Sequence, residues 1–446
     1  MKKMVALVMT LCIAMSICVS PVQAASFYRY GHSDGHWSID FATNLNRYGV
    51  ITTDELNSTK FDDNANPEYI ANIIYKANYA ANNPGKTLDK LKIRNKDINT
   101  WIEEHKNESS ITRGEFAHLI NIVVDKKNML EINVIDDNDI PDIQTGHKYY
   151  NDIYNIYRWG LMGGTDLIGT FSENGLVTNG QLFAVADHIL NPNTRVALSL
   201  YGDDEITVQS EVYPMTYHNK SKGLDIEVNK ENYYGAVCYV AHIKMKNPAH
   251  LKTTYALQYW SVVGAPATMV DERLNSILIV NGDYRSETYG ENLGIIRNRQ
   301  IVNNKTVNGI GMTLDGKISE VKGDPKVLLD NNIRDTWTFG PVLVKNGAII
   351  PKNDPDAARH PRTFIGQVYR TDDVLEYYIV VADGRQPEYS MGLTNYEMAT
   401  ILAAKGCTFG YNLDGGGSSV IRFNGKTLNR PSDGSERTDV DYIYIK

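Results

Sequence analysis

Asn412-Leu413-Asp414-Gly415-Gly416-Gly417-Ser418-Ser419 follows the strand-like run Phe409–Leu413 and leads into the apolar Val420-Ile421. Three consecutive glycines carry a large conformational-entropy cost, and a plain turn does not need all three. Bounded by strand patterns, they imply a rigid bend whose backbone N–H groups face an anion, with the Ser418 and Ser419 hydroxyls beside them. Three further segments share the design of an apolar strand ending in Gly with Asp, Asn or Arg. They are Ile277–Val280 before Asn281-Gly282-Asp283, Tyr377–Val381 before Asp383-Gly384-Arg385, and the late loop Asn429-Arg430-Pro431-Ser432-Asp433-Gly434-Ser435-Glu436-Arg437. One such tip is an ordinary hairpin; four in one region indicate loops converging on a ligand.

Outward from that run, the C-terminal half alternates apolar and polar residues in Val196–Leu200, Val237–Lys244, Ser276–Val280, Glu376–Val381 and Asp441–Ile445. One helix is predicted over Thr394–Lys405, opened by the capping box Thr394/Glu397 and stopped by Gly406. The fold class expected is α+β, a mixed-sheet domain over residues 213–446 joined through residues 192–212 to a mainly helical region, residues 25–191. There the apolar spacing predicts helices over Trp37–Tyr48, Pro67–Ala81, Arg113–Val124, Tyr149–Trp159 and Asn179–Leu190. Thr112 and Thr178 stand as N-caps, Gly49 and Gly160 as stops.

Lys2 and Lys3 precede the apolar run Met4–Val19, and Pro21-Val22-Gln23-Ala24 supply a small-residue cleavage site. This is the layout of a signal peptide over residues 1–24, and no later segment is apolar enough to span a bilayer. Cleavage would take the formal charge from −8 to −10, which disfavours nucleic acid as a partner and requires a local basic pocket for any anionic ligand. Cys12 and Cys18 leave with the leader. Cys238 and Cys407 remain in apolar contexts suited to buried thiols, with one disulfide left open and no cysteine-based metal spacing.

The chemistry expected at the convergent loops follows from residue type. Arg362, Arg385 and Arg437 offer paired donors matched to phosphate oxygens in an otherwise acidic chain. Asp283, Asp383, Asp414 and Glu436 are the candidate acids for proton transfer. Acids of this kind can work as a pair, one protonating a leaving oxygen and the other activating water or attacking the centre from which it departs. Some of these acids could instead hold a divalent cation; no cofactor is otherwise implied. The Asp-Gly-Gly-Gly-Ser-Ser run lacks the lysine of a phosphate-binding loop, and no Gly-x-Ser-x-Gly occurs in this half.

Two resemblances add to this reading. The order Asn281-Gly282-Asp283, Phe339-Gly340-Pro341, Pro361-Arg362-Thr363, Asp383-Gly384-Arg385, Met391-Gly392-Leu393-Thr394, Asn412 to Ser419, and Arg430 to Arg437 resembles the phosphodiester glycosidase family. The resemblance implies hydrolysis of a sugar-1-phosphodiester linkage in an envelope or exopolysaccharide glycan. It places Asn281, Gly282, Arg362, Arg385, Asn412, Gly415, Gly416, Gly417, Ser418 and Arg437 on the substrate, beside the four acids. Where the family commonly has an aromatic pair after Asn-Gly-x, this chain has Tyr284 then Arg285, implying a different glycan.

In the helical region, His36-Trp37, Tyr48-Gly49-Val50, Phe61 and Ile111 to Phe116 are echoed by Tyr149-Tyr150, Trp159 to Gly163, Phe171 and Val177 to Phe183. These two degenerate repeats resemble the S-layer homology module, matched at Thr112, Arg113 and Glu115 but with Asn179 and Gln181 in the second copy. That resemblance implies docking on a secondary cell-wall polymer. The alternative function is a non-catalytic glycan- or phosphate-binding protein of envelope assembly.

Overall fold

The computed structural model describes residues 36–166, 169–198, 200, 206–257, 261, 263–283, 293–354, 357–370 and 372–446. The leader and the Tyr284–Arg285 pair lie outside the described residues. The chain forms two compact units: residues 1–126 with 135–191, and residues 127–134 with 192–446.

The first unit is helical over Ile39–Arg47, Thr53–Ser58, Pro67–Asn82, Lys96–His105, Arg113–Val123, Tyr150–Arg158 and Asn179–Leu190. Two of these helices, Thr53–Ser58 and Lys96–His105, were not anticipated from the sequence. Capping boxes open the helices after Thr112 and Thr178: each threonine side chain accepts the N3 backbone N–H, and Glu115 or Gln181 reaches back to the threonine N–H. Segments of the two repeat-like stretches pair, with Arg113 N donating to Gly175 O at 2.8 Å and Val177 N to Ile111 O at 3.1 Å. The Arg113 side chain is buried here: Nε donates to Phe171 O at 2.8 Å, Nη2 to Gly163 O at 3.0 Å, and the guanidinium lies over the Phe171 ring. It fastens the fold from within.

The second unit is built on two large sheets. A nine-stranded sheet runs in the order Ile206–Gln209, Met215–Asn219, Leu224–Tyr233, Ala236–Met245, Leu375–Ala382, Arg362–Val368, Phe409–Asn412, Val342–Lys345, Ala348–Ile349. A five-stranded sheet runs Lys426–Thr427, Ile421–Phe423, Leu278–Asn281, Asp441–Ile445, Leu251–Tyr255. Every strand pairing among the described residues is antiparallel, so the domain is α+β but its sheets are not mixed. Strands joined by short connections pair antiparallel; parallel pairing would need long crossovers.

Side-chain alternation sorts the layers. Ile379 and Val381 enter the core shared with Ile226, Ile243, Val280, Ile421 and Ile443, while Val380 and Ala382 face the helix Asn395–Ala404 through Met398, Ile401 and Leu402. The helix Ala267–Leu274 covers the outer face of the smaller sheet at Ile279, Tyr442 and Tyr444. Cys238 and Cys407 are free thiols inside the outer core, and burial pushes both up to about 12. The expected strand Val196–Leu200 does not form over residues 196–198 and 200. Asn133 acts in place of a ladder partner, accepting from Leu198 N and donating to Val196 O, both at 2.8 Å.

Candidate active site

Asn281 ends its strand with no exposed surface and joins the two sheets. Its Nδ2 donates to Asp414 O at 2.8 Å, and its Oδ1 accepts from Thr363 Oγ1 at 2.7 Å and Val420 N at 3.2 Å. Gly282 continues the stitch, donating to Asp441 O and accepting from Asp414 N. A Cβ on Gly282 would meet Asp441 Oδ1 at 2.6 Å. Both residues therefore hold the glycine loop between the sheets. Asn412 has a similar role, its Nδ2 donating to Gly340 O at 2.6 Å.

The glycine run is explained by the arginines. A Cβ at Gly415 would meet Pro361 O at 2.8 Å and Arg362 Cα at 3.6 Å. At Gly416 it would stand 3.1 and 3.2 Å from the Arg385 terminal nitrogens, and at Gly417 it would collide with the Asp433–Arg437 ion pair. Each glycine leaves room for one of the three segments that carry Arg362, Arg385 and Arg437, so the four loops do converge. Of the expected row of free N–H groups, those of Gly415, Gly416, Ser418 and Ser419 are instead taken up. Gly415 N donates to Asp414 Oδ1, Gly416 N to Pro361 O, Ser418 N to Gly415 O and Ser419 N to Gly416 O. Gly416–Ser418 winds into a 3₁₀ turn that satisfies Ser418 N and Ser419 N locally, while Gly416 N reaches across to Pro361.

Arg362 and Arg385 have no carboxylate partner among the described residues. Arg362 Nε donates to Leu393 O at 3.1 Å, and Arg385 lies 3.4 Å from His360 Nδ1. Burial, with Arg385 alongside, disfavours the charge of Arg362; burial and both arginines push the His360 pKa down. Arg385 acts on Asp433 only at longer range, and two adjacent guanidiniums without a direct ion pair favour an anion between them. Arg437, by contrast, is held by Asp433 at 2.6 Å.

Three carboxyls around the loop are pushed up to about 6, in each case first by burial. Asp283 accepts from Thr338 N at 2.8 Å, Thr338 Oγ1 at 3.1 Å and Phe339 N at 3.1 Å, with Arg297 Nη2 at 3.7 Å opposing the shift. Asp383 accepts from Arg430 N at 2.9 Å, Asn429 Nδ2 at 3.2 Å and Tyr389 Oη at 3.2 Å. Asp414 accepts from Gly415 N at 2.7 Å. Carboxyls in this range exchange protons near neutral pH, as acid–base chemistry requires.

Glu436 lies apart in role. Its oxygens accept from Thr268 N at 2.8 Å, Thr268 Oγ1 at 2.9 Å and Thr427 Oγ1 at 2.7 Å, with Arg422 Nη1 at 3.5 Å. The sequence suggested a proton-transfer residue; the structure ties this carboxylate to the start of the helix Ala267–Leu274.

Several contributors were not singled out. Asp441 accepts from Asp283 N at 2.7 Å and pairs with Arg297 Nη2 at 2.5 Å, both fully buried. Asn429 links Asp383 to Ser419 O at 2.9 Å. Asp439 is 1% exposed, neither of its oxygens has a well-formed hydrogen bond among the described residues, and burial raises its pKa well above its ordinary value. Ser418 Oγ lies against Asp414 and Asp439 without a well-formed hydrogen bond to either. These oxygens are the donors a hard divalent cation would take at this site. The alternation Asp439-x-Asp441 leading into a strand was the available sequence signal. A separate trio, His105, Glu108 and Glu115 in the helical unit, has ligand atoms within 4.8 Å of one another.

Similarity to known proteins bears on this geometry. Over 126 residues the chain is 37% identical to the SPbeta prophage-derived uncharacterized protein YomE of Bacillus subtilis (strain 168), a match covering 27% of this chain and 19% of that protein. The chain thus spans about a fifth of that relative's length. Among solved structures, the zebrafish N-acetylglucosamine-1-phosphodiester alpha-N-acetylglucosaminidase catalytic domain, auto-inhibited by its pro-peptide, aligns with TM-score 0.41 and 16% identity. That alignment covers 54% of this chain and 87% of the other. A hypothetical protein from Synechocystis aligns with TM-score 0.37 and 12% identity over 54% of this chain and 68% of its own. Residues 275–446, which contain every carboxylate and arginine of the glycine-loop cluster, match the family model for phosphodiester glycosidases.

Proposed function

We propose that the second unit is a glycoside hydrolase that cleaves a sugar-1-phosphodiester in an envelope or exopolysaccharide glycan. The observation that carries this is the packing of three consecutive glycines against the segments of three arginines, two of them without a direct ion pair among the described residues. Arg362 and Arg385 hold the phosphate and stabilise the charge that grows on it as it leaves. The bond from the anomeric carbon to the phosphate oxygen breaks, water supplies the new oxygen on that carbon, and the products are a reducing sugar and a phosphomonoester. Asp383 and Asp414, poised near neutrality, share the two proton transfers, one taking the proton from water and the other protonating the departing oxygen.

The test is release of reducing sugar and phosphomonoester from a defined sugar-1-phosphodiester. Arg385→Ala and Asp414→Asn should each lower the rate by roughly a hundredfold or more. Unchanged rates in both would remove the catalytic reading.

We also infer export, from the leader layout of residues 1–24, and docking of the helical unit on a secondary cell-wall polymer, from its repeat-like motifs. Secreted protein beginning at Ala25 supports the first. Sedimentation of the full chain with wall sacculi supports the second, and a wholly soluble fraction ends it. Among the described residues no helix is long and apolar enough to cross a membrane.

A further inference from the structure

Asp383 has a second cationic neighbourhood that the cleavage of one phosphodiester does not use. Tyr389 Oη donates to Asp383 Oδ2 at 3.2 Å and lies 3.4 Å from Tyr239 Oη, with the Tyr213 ring 6.3 Å from that of Tyr239. Over this tyrosine wall stand two exposed cations. The Arg430 guanidinium is 5.3 Å from the Tyr389 ring centre and the Lys230 ammonium 5.6 Å from that of Tyr239. Neither forms a close ion pair among the described residues; Lys230 acts on Asp383 only at longer range, opposing the rise of its pKa, so each cation rests on an aromatic face with room for a further anion. Tyr213 is 37% exposed, a flat ring at the edge of the wall.

We propose that Lys230 and Arg430 form a subsite for a second phosphate, so that the preferred substrate is a glycan of repeating sugar-phosphate units and not an isolated phosphodiester. The inference rests on the hydrolase reading above. Arg362 and Arg385, which stand against the glycine loop, take the phosphate at the scissile bond. Lys230 and Arg430, over the tyrosines beside Asp383, take the next phosphate along the chain. Tyr213 offers a face to the intervening sugar ring. An isolated phosphodiester would leave this second pair of charges without a task.

The experiment compares a synthetic trimer of sugar 1-phosphate units with a single sugar-1-phosphodiester bearing a neutral alkyl alcohol. The wild type should favour the trimer by about tenfold in kcat/KM, and 0.5 M salt should erase most of that preference because exposed charges are screened. The double variant Lys230→Gln/Arg430→Gln should raise KM for the trimer about tenfold with a smaller change in kcat, and Arg430→Lys should restore part of the loss. Equal treatment of both substrates by the wild type, or an undiminished preference in the double variant, overturns the subsite. If neither substrate is cleaved, it is the hydrolase reading that fails. Calorimetric binding of the trimer against the single diester then decides the subsite by itself, with tighter trimer binding lost in the double variant as the supporting result and equal binding as the opposing one.

Discussion

Gly416 lies against the guanidinium of Arg385, so closely that a Cβ would stand 3.1 Å from one terminal nitrogen and 3.2 Å from the other. Its φ of +64° adds a second demand, since an L side chain in that region costs about 1 kcal/mol. Gly416→Ala is expected to displace Arg385 and to lower phosphodiester cleavage by roughly tenfold or more, with a stability loss of only about 1 kcal/mol. Urea midpoints and initial rates on the same preparation separate the two effects.

Asn281 serves three partners on two sheets, and no substitution keeps them all. Asn281→Ala strands the Asp414 carbonyl and the Val420 N–H in the interior, at a cost of about 2–4 kcal/mol. Asn281→Asp retains the acceptor and still loses the donor to Asp414 O. Both variants should show lower melting temperatures, with alanine the worse.

Asp414 couples stability to pH. Burial pushes its carboxyl from the ordinary 3.8 up to about 6, so the folded chain holds a proton that the unfolded chain releases between those values. Its contribution is complete below pH 4 and is lost as the pH rises through 6. Relative to the wild type, Asp414→Asn should therefore gain stability on going from pH 4 to 7.5, by up to about 3 kcal/mol, while losing activity. Denaturant titrations at pH 4.5, 6 and 7.5 read the trend; a flat difference would mean that the carboxyl is not perturbed.

Glu436→Gln tests the structural assignment of that residue. Three donors converge on its oxygens at the beginning of the helix Ala267–Leu274, so the variant should unfold earlier by about 1–2 kcal/mol. Turnover per folded molecule at 25 °C should remain near the wild-type value. A hundredfold fall in kcat without a stability change would return Glu436 to the chemistry.

The local rules carried most of the secondary structure. Apolar spacing, the N-cap threonines Thr112 and Thr178 and the Thr394/Glu397 box located Arg113–Val123, Asn179–Leu190 and Asn395–Ala404 to within a residue or so, because the capping interaction is made within four residues of chain. The helix Lys96–His105 gives little sequence signal; it buries only Ile98 and Trp101, too sparse an apolar stripe to stand out. Val196–Leu200 looked like a strand, yet its backbone partner is an asparagine side chain more than sixty residues away in sequence. Sheet direction could not be read from residue type, since pairing is set by which strands become neighbours.

The sequence by itself determined the ingredients: strand ends tipped with Gly and Asp, three arginines in an acidic chain, and a glycine triplet too costly to be a mere turn. Only the tertiary structure decided their roles. It turned the triplet from an anion nest into clearance for three arginine-bearing segments, committed Asn281 and Glu436 to holding the frame, and brought in Asp439, Asp441, Asn429 and Tyr389. The physical reason is that a side chain's protonation and availability depend on burial and on donors brought from distant strands, and neither is written in its immediate neighbours.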